Sequence, residues 1–186
     1  MNKFSMIESM TENHQRFTNY INQLTEQEYL FAMSEKWTAG QQLDHLVRST
    51  KPLILAVRLP LFITHLIFGK ANRPSKSYEE LVEKYLQKIQ AGAKATGNFI
   101  PPPISFDKKE SLIKELNSIV GKINKGLSKF SEEELDECIL PHPLLGKITF
   151  REMIYFTIYH VDHHHFIIDK ALEQDLHQSK VDHPSN

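Results

Sequence analysis

The stretch from Tyr159 to Ile168, YHVDHHHFII, carries four histidines within six positions. Imidazole offers an unprotonated nitrogen lone pair near neutral pH, so clustered histidines raise the question of a metal site. Helical spacing decides which of them can act together. His160 and His164 are four residues apart and stack on one helix face, and His160 and His163, three apart, do so nearly as well. The apolar stripe of the same segment runs Met153, Phe156, His160, His164, Ile167 or Ile168, Ala171. The pair therefore interrupts a seam that otherwise faces a core. Buried imidazoles must satisfy their ring nitrogens, and a shared metal ion does this for two at once. Hydrogen bonding to neighbours at a wet bundle end is the competing reading. His165 points about 100° from His164 and is expected to be exposed. His163 is a spare ligand, a support for the ligands, or a rim residue.

Two ligands do not make a site, because borderline metals take three or four protein donors. The third candidate is His45, in WTAGQQLDHLVRS. The apolar stripe there is Leu43, Leu46, Val47, Leu53, Ile54 and Val57, and His45 projects to the other side. That suits a ligand only if this side lines a cleft, a side that Ala56 and Leu59 share. Otherwise His45 is a solvated histidine. Trp37 is expected to bury its ring at the helix entry. His142, between two prolines, reads as a turn residue, and His65 as packed on an apolar face. His14 is isolated, and His177 and His183 fall in the tail. The nearby acids in sequence are Asp44, Glu152 and Asp162, none of which is assignable as a general base, so the catalytic residues are unknown at this point. Asp162 is expected to face solvent.

The elements that must position these residues are helical. Glycine is scarce, with 7 in 186 residues, and the hairpin signals Asn-Gly and Asp-Gly are absent. Capping-box spacings recur at Thr38–Gln41, Ser77–Glu80, Ser131–Glu134 and Thr149–Glu152, with a looser version at Asp107–Glu110. They predict helices over about 3–24, 39–58, 78–93, 108–128 and 150–174, with a short turn near 132–136. Proline-rich connections lie at 69–77 and 98–107, and the three prolines at 101–103 exclude helix there. The expected fold class is all-α, a four-helix bundle with long crossover loops. Residues 1–175 form the single domain and 176–186 a frayed polar tail.

Composition excludes some partners. The formal net charge is -1, which gives no nucleic-acid footprint. Cys138 is the only cysteine, so no intramolecular disulfide forms and a reducing, cytoplasmic setting is expected. The N-terminal MNKFSMIESMTENHQ has no apolar run of a secretory signal. The most apolar stretch, 53–68, contains Arg58, Pro60 and His65 and falls short of a spanning helix. It reads as buried core broken at Pro60, with no membrane partner expected.

These segments resemble the DinB-like (DinB/YfiT-like) superfamily. WTAGQQLDHL matches the Trp-Ser/Thr-x-x-Glu/Gln-x-x-x-His-Leu pattern that opens the family's second helix. HVDHH matches the histidines of its last long helix, and HPLLGKIT, ahead of that helix, looks like a subgroup's His-Pro and Gly-x-Leu/Ile-Thr. The middle of the chain, about 60–130, matches only in helical character. The resemblance implies a four-helix bundle, often a homodimer, with metal ligands carried over as His45, His160 and His164. The face at 53–68 is the expected dimer surface.

Such a triad leaves coordination positions open for water or a small-molecule substrate. Zinc or nickel suits it, with iron or manganese as alternatives. Characterised relatives include transferases and isomerases that use a low-molecular-weight thiol. The resemblance therefore implies a metal-dependent S-transferase or hydrolase that activates water or a thiol. One departure stands out: many relatives follow the histidine pair with Arg/Lys-x-Gln, where this chain has His165, Phe166 and Ile167. The alternative is a non-catalytic helical stress-response or interaction module with a structural or vestigial metal site. The two readings differ in whether a cavity opens beside the imidazoles.

Overall fold

A computed structural model describes residues 1–34 and 36–182, the side chains of 176–182 excepted. His177 and His183 lie outside the described side chains. Four long helices carry the fold: α1 (Lys3–Gln23), α3 (Ala39–Thr50), α7 (Lys109–Leu127) and α9 (Phe150–Asp182). Each of α1 and α3 packs against both α7 and α9, so the first two long helices stand on a diagonal of the bundle. A further helix, α6 (Tyr78–Gln90), lies against α9. The shorter helices are α2 (Glu26–Leu30), α4 (Leu53–Ala56), α5 (Leu61–Phe68) and α8 (Glu132–Glu137).

Local sequence accounts for the boundaries. Thr38, Ser77 and Ser131 each cap a helix reciprocally with Gln41, Glu80 and Glu134. Thr149 and Glu152 exchange the same pair of bonds at the start of α9, at 3.2 and 2.9 Å. A fifth box, Thr25–Glu28, starts α2 and was not anticipated. The looser Asp107–Glu110 spacing forms no box: α7 starts at Lys109 without a side-chain cap, and Asp107 takes a bond from Ser105. The core face of α1 places Met6, Met10, Phe17 and Ile21 out of solvent, each worth about 1.5–3 kcal/mol of burial.

Three expectations are corrected. The second helix does not run from 39 to 58. It ends at Thr50, because Pro52 has no N–H to continue the ladder, and the chain restarts as α4. The last helix continues to Asp182 rather than stopping near 174. A two-stranded antiparallel hairpin pairs β1 (Ile139–His142) with β2 (Gly146–Thr149) in a region expected to lack strands. Its three-residue loop closes on Gly146 at φ +76°, the left-handed position such a turn requires. Asn-Gly and Asp-Gly mark only the two-residue turn, so this hairpin has a different signature.

The 53–68 stretch is also not the buried core it was expected to be. Leu55 is 63%, Phe62 72%, Leu66 84% and Ile67 59% exposed. Beyond Pro60 the chain turns by 113° away from the α3–α4 direction, which carries α5 out of the bundle interior.

Candidate metal centre

Helix α3 carries His45 and α9 carries His160 and His164, on adjacent walls of the bundle. All three are buried. One ring nitrogen from each lies within 4.8 Å of the others, and among the described residues this is the cluster of three or more donors that could hold an ion. His160 Nε2 lies 2.9 Å from His164 Nε2 and 3.3 Å from His45 Nε2.

The opposite ring nitrogens fix the tautomers. His45 Nδ1–H donates to the Phe99 carbonyl at 2.7 Å. A carbonyl can only accept, so the proton of neutral His45 sits on Nδ1 and its Nε2 is a bare lone pair. His164 Nδ1–H likewise donates to Gln42 Oε1, which bares its Nε2. His160 Nε2 stands between these two lone pairs. A single proton there can serve one neighbour fully and leaves the other facing a nitrogen. A cation satisfies all three at once, which is how bonds to the outer nitrogens orient metal-binding histidines.

Electrostatics keep the donors neutral. Burial lowers the pKa of His45, against the opposing Phe99 bond and the Asp44 charge, and drives those of His160 and His164 well below the usual imidazole value, which neighbouring imidazoles lower further. Each lone pair is therefore available at neutral pH, as ligation requires. The donor set of three neutral imidazoles fits a divalent transition ion.

A cavity of about 370 Å³ opens beside the triad. Its walls are mostly carbon, with Leu53, Ala56, Leu59, Phe68, Leu140 and Phe156 among them. Lys94 is its one formally charged lining residue other than histidine. Here His45 is no solvated histidine, since its side of α3 does line a cleft, one that Ala56 of α4 also lines. Trp37 is only half-buried, sits 5.1 Å from the His45 ring and lines the cavity, so its ring is not closed off at the helix entry.

The other histidines are sorted by packing. His163 lines the cavity next to Tyr85 and stands outside the triad. His165 is not exposed as expected. It is half-buried against Tyr20 of α1, with ring centroids 4.3 Å apart. His142 is more than a turn residue, because it is buried on the cavity wall. Its Nδ1 accepts the backbone N–H groups of Leu144 and Leu145, both at 3.1 Å, which leaves its proton on Nε2. Burial, aided by Lys84, lowers its pKa to about 4.

The three acids named from sequence serve elsewhere. Asp44 pairs with Arg48 on its own helix. Glu152 is fully buried, grips Arg73 through both oxygens at 2.6 and 2.7 Å, and caps α9. Asp162 is half-buried and ties α9 to Asn13 and Arg16 of α1. Sequence reasoning missed Gln42 and Phe99. Gln42 lies three residues before His45 on one helix face, a usable signal. The Phe99 carbonyl comes from a crossover and has no signature in side-chain identity.

Comparison with known proteins follows this geometry. A model of the DinB superfamily matches residues 9–168. A search of curated proteins finds no match. Among solved structures, the chain is similar to YfiT from Bacillus subtilis, with a TM-score of 0.61 and 16% identity over 93% of this chain and 87% of that one. YfiT is described as a probable metal-dependent hydrolase with an unusual four-helix bundle topology. At that identity the likeness speaks for the shared bundle. With the family model spanning most of its length, this chain belongs to the DinB superfamily.

Proposed function

We propose that His45, His160 and His164 hold one divalent transition-metal ion, zinc or nickel in the first instance. The protein then acts as a metal-dependent hydrolase or thiol transferase on a largely apolar small molecule. The observation that carries this reading is the convergence of the three Nε2 atoms beside an accessible, carbon-walled cavity. A purely structural site would be closed on all sides. The description of YfiT as a probable metal-dependent hydrolase supports the same direction.

When bound, such an ion would make a coordinated water or thiol easier to deprotonate. The residues of the chain have separate tasks. Phe99 and Gln42 hold the His45 and His164 rings in the ligating tautomer. His142 contributes a neutral N–H on the cavity wall, a donor suited to a substrate oxygen. The apolar walls exclude water and accommodate the substrate body.

The test is elemental analysis of untagged protein beside a His160→Ala/His164→Ala variant, followed by ester hydrolysis and thiol-transfer assays. The expected result is about one ion per chain in the parent, none in the variant, and turnover only by the loaded parent. If neither takes up metal after incubation with zinc or nickel, the histidines are structural and the proposal fails. Metal uptake without turnover of any substrate would favour the non-catalytic module.

A further inference from the structure

We infer that the outward face of α5 docks on an anionic lipid surface. This inference does not rest on the metal centre. Helix α5, LFITHLIF, is apolar nearly all round. Thr64 packs inward, while Phe62, Leu66 and Ile67 point outward at 72%, 84% and 59% exposure. Leu55, just before the break at Pro60, is 63% exposed. Contiguous exposed apolar side chains on one element mark a contact surface.

Charge selects the partner. At the N-terminal end of α5, Arg58 shares a cleft with Lys122 and Lys125 of α7 and with Lys129 just beyond its end. Glu134 is the one acid on that cleft, and one of its oxygens already accepts the Ser131 N–H of its capping box. At the other end Lys147 reaches the Phe68 carbonyl. The apolar helix therefore has cations at both ends, the composition of a segment that rests in the lipid headgroup region. A second copy of the chain fits less well. A two-fold contact would set this face against itself and bring the cationic clefts toward each other. Nor is α5 a spanning helix: its 8 residues give about 12 Å against a hydrocarbon core of about 30 Å. No single helix among the described residues is long and apolar enough to cross a membrane. From the sequence a membrane-surface role is disfavoured because such helices need a strong amphipathic moment and a basic face, and the basic cleft beside α5 now supplies the second of these.

The test is co-sedimentation of the full chain with vesicles of phosphatidylcholine and phosphatidylglycerol, and with vesicles of phosphatidylcholine alone. Binding is expected to the mixed vesicles only, and to weaken as salt is raised. Leu66→Asp is expected to reduce binding at least tenfold. Lys125→Glu/Lys129→Glu is expected to reduce it more than tenfold, about fivefold for each lost cation and more for each added acid. All these positions lie at the surface, and circular dichroism checks that the variants fold. Absence of uptake by anionic vesicles overturns the inference, as does uptake that Leu66→Asp leaves unchanged. If Leu66→Asp instead turns a dimer into a monomer and vesicles never bind, the occupant is a second copy and the inference is wrong.

Discussion

The Nε2 atoms of His160 and His164 face each other at 2.9 Å across one turn of α9. Gln42 fixes the proton of His164 on its far nitrogen, so any proton between the two rings belongs to His160. With His45 Nε2 also bare, the metal-free site leaves an imidazole lone pair without a donor, at a cost of about 1–3 kcal/mol. An ion removes that cost and adds its own binding free energy. Zinc at a hundredfold above its dissociation constant should therefore raise stability by about 2.7 kcal/mol, and a chelator should reverse the gain. Thermal melts of the parent and of His160→Ala/His164→Ala, with and without zinc, measure this. An equal shift in both proteins would place the ion elsewhere.

Gln42 should matter to the ion without touching it. Gln42→Leu removes the acceptor that orients His164, so the ring can adopt the other tautomer or rotate. Metal affinity is expected to fall by about 10–100-fold. Gln42→Glu keeps an acceptor and should retain more affinity than the leucine variant. Competition with a chromophoric chelator reads both. If leucine and glutamate weaken binding equally, the effect is packing rather than orientation.

His14 sets an acid limit on stability. It is buried in α1, donates Nδ1–H to the Met10 carbonyl at 2.8 Å, and its Nε2 has no partner. Burial lowers its pKa from 6.5 to about 4, with the Met10 bond opposing more weakly. The unfolded chain therefore binds the extra proton first. The contribution is complete above about pH 6.5, declines as pH falls toward 4, and is gone below that. His14→Leu should remove roughly 2 kcal/mol of the stability difference between pH 7 and pH 5. Urea midpoints at the two pH values test it. A pH dependence identical to the parent's would show that His14 does not couple to folding.

Much of this site was legible because helices have a fixed period. The four-residue spacing of His160 and His164, on a stripe with Met153 and Phe156, is enough by itself to put two ligand candidates on the core face. Periodicity alone argued against His45, which opposes the main apolar stripe of α3. That argument treats a helix as having one buried face, whereas α3 has a second face on the cavity. The hairpin was missed because its turn relies on one left-handed glycine, Gly146, in a chain where glycine scarcity suggested helix throughout. The exposure of α5 was missed because hydrophobicity reports what a segment prefers, while Pro60 and the sharp turn decide where it goes.

Two glycines of α7 offer a matched test of packing. Gly121 is exposed, and a Cβ there would meet nothing within 4 Å. Gly126 is buried, and a Cβ there would lie 2.5 Å from Cβ and Cγ2 of Val57. Alanine gains helix propensity at both positions, by about 1 kcal/mol in an open setting. Gly121→Ala should therefore stabilise the protein by up to that amount. At Gly126 the same gain meets a backbone-held neighbour, since Val57 closes the short α4 turn through its N–H to the Leu53 carbonyl. Displacing α4 from α7 costs about 1–3 kcal/mol, so Gly126→Ala should be destabilising on balance. Val57→Ala, added to Gly126→Ala, removes the Cγ2 contact but keeps Cβ, and should restore only part of the loss. Urea denaturation of the three variants measures the signs. Equal stabilisation by both single alanines would mean that α4 moves freely on α7, and the cavity wall that α4 provides would then be loose rather than fixed.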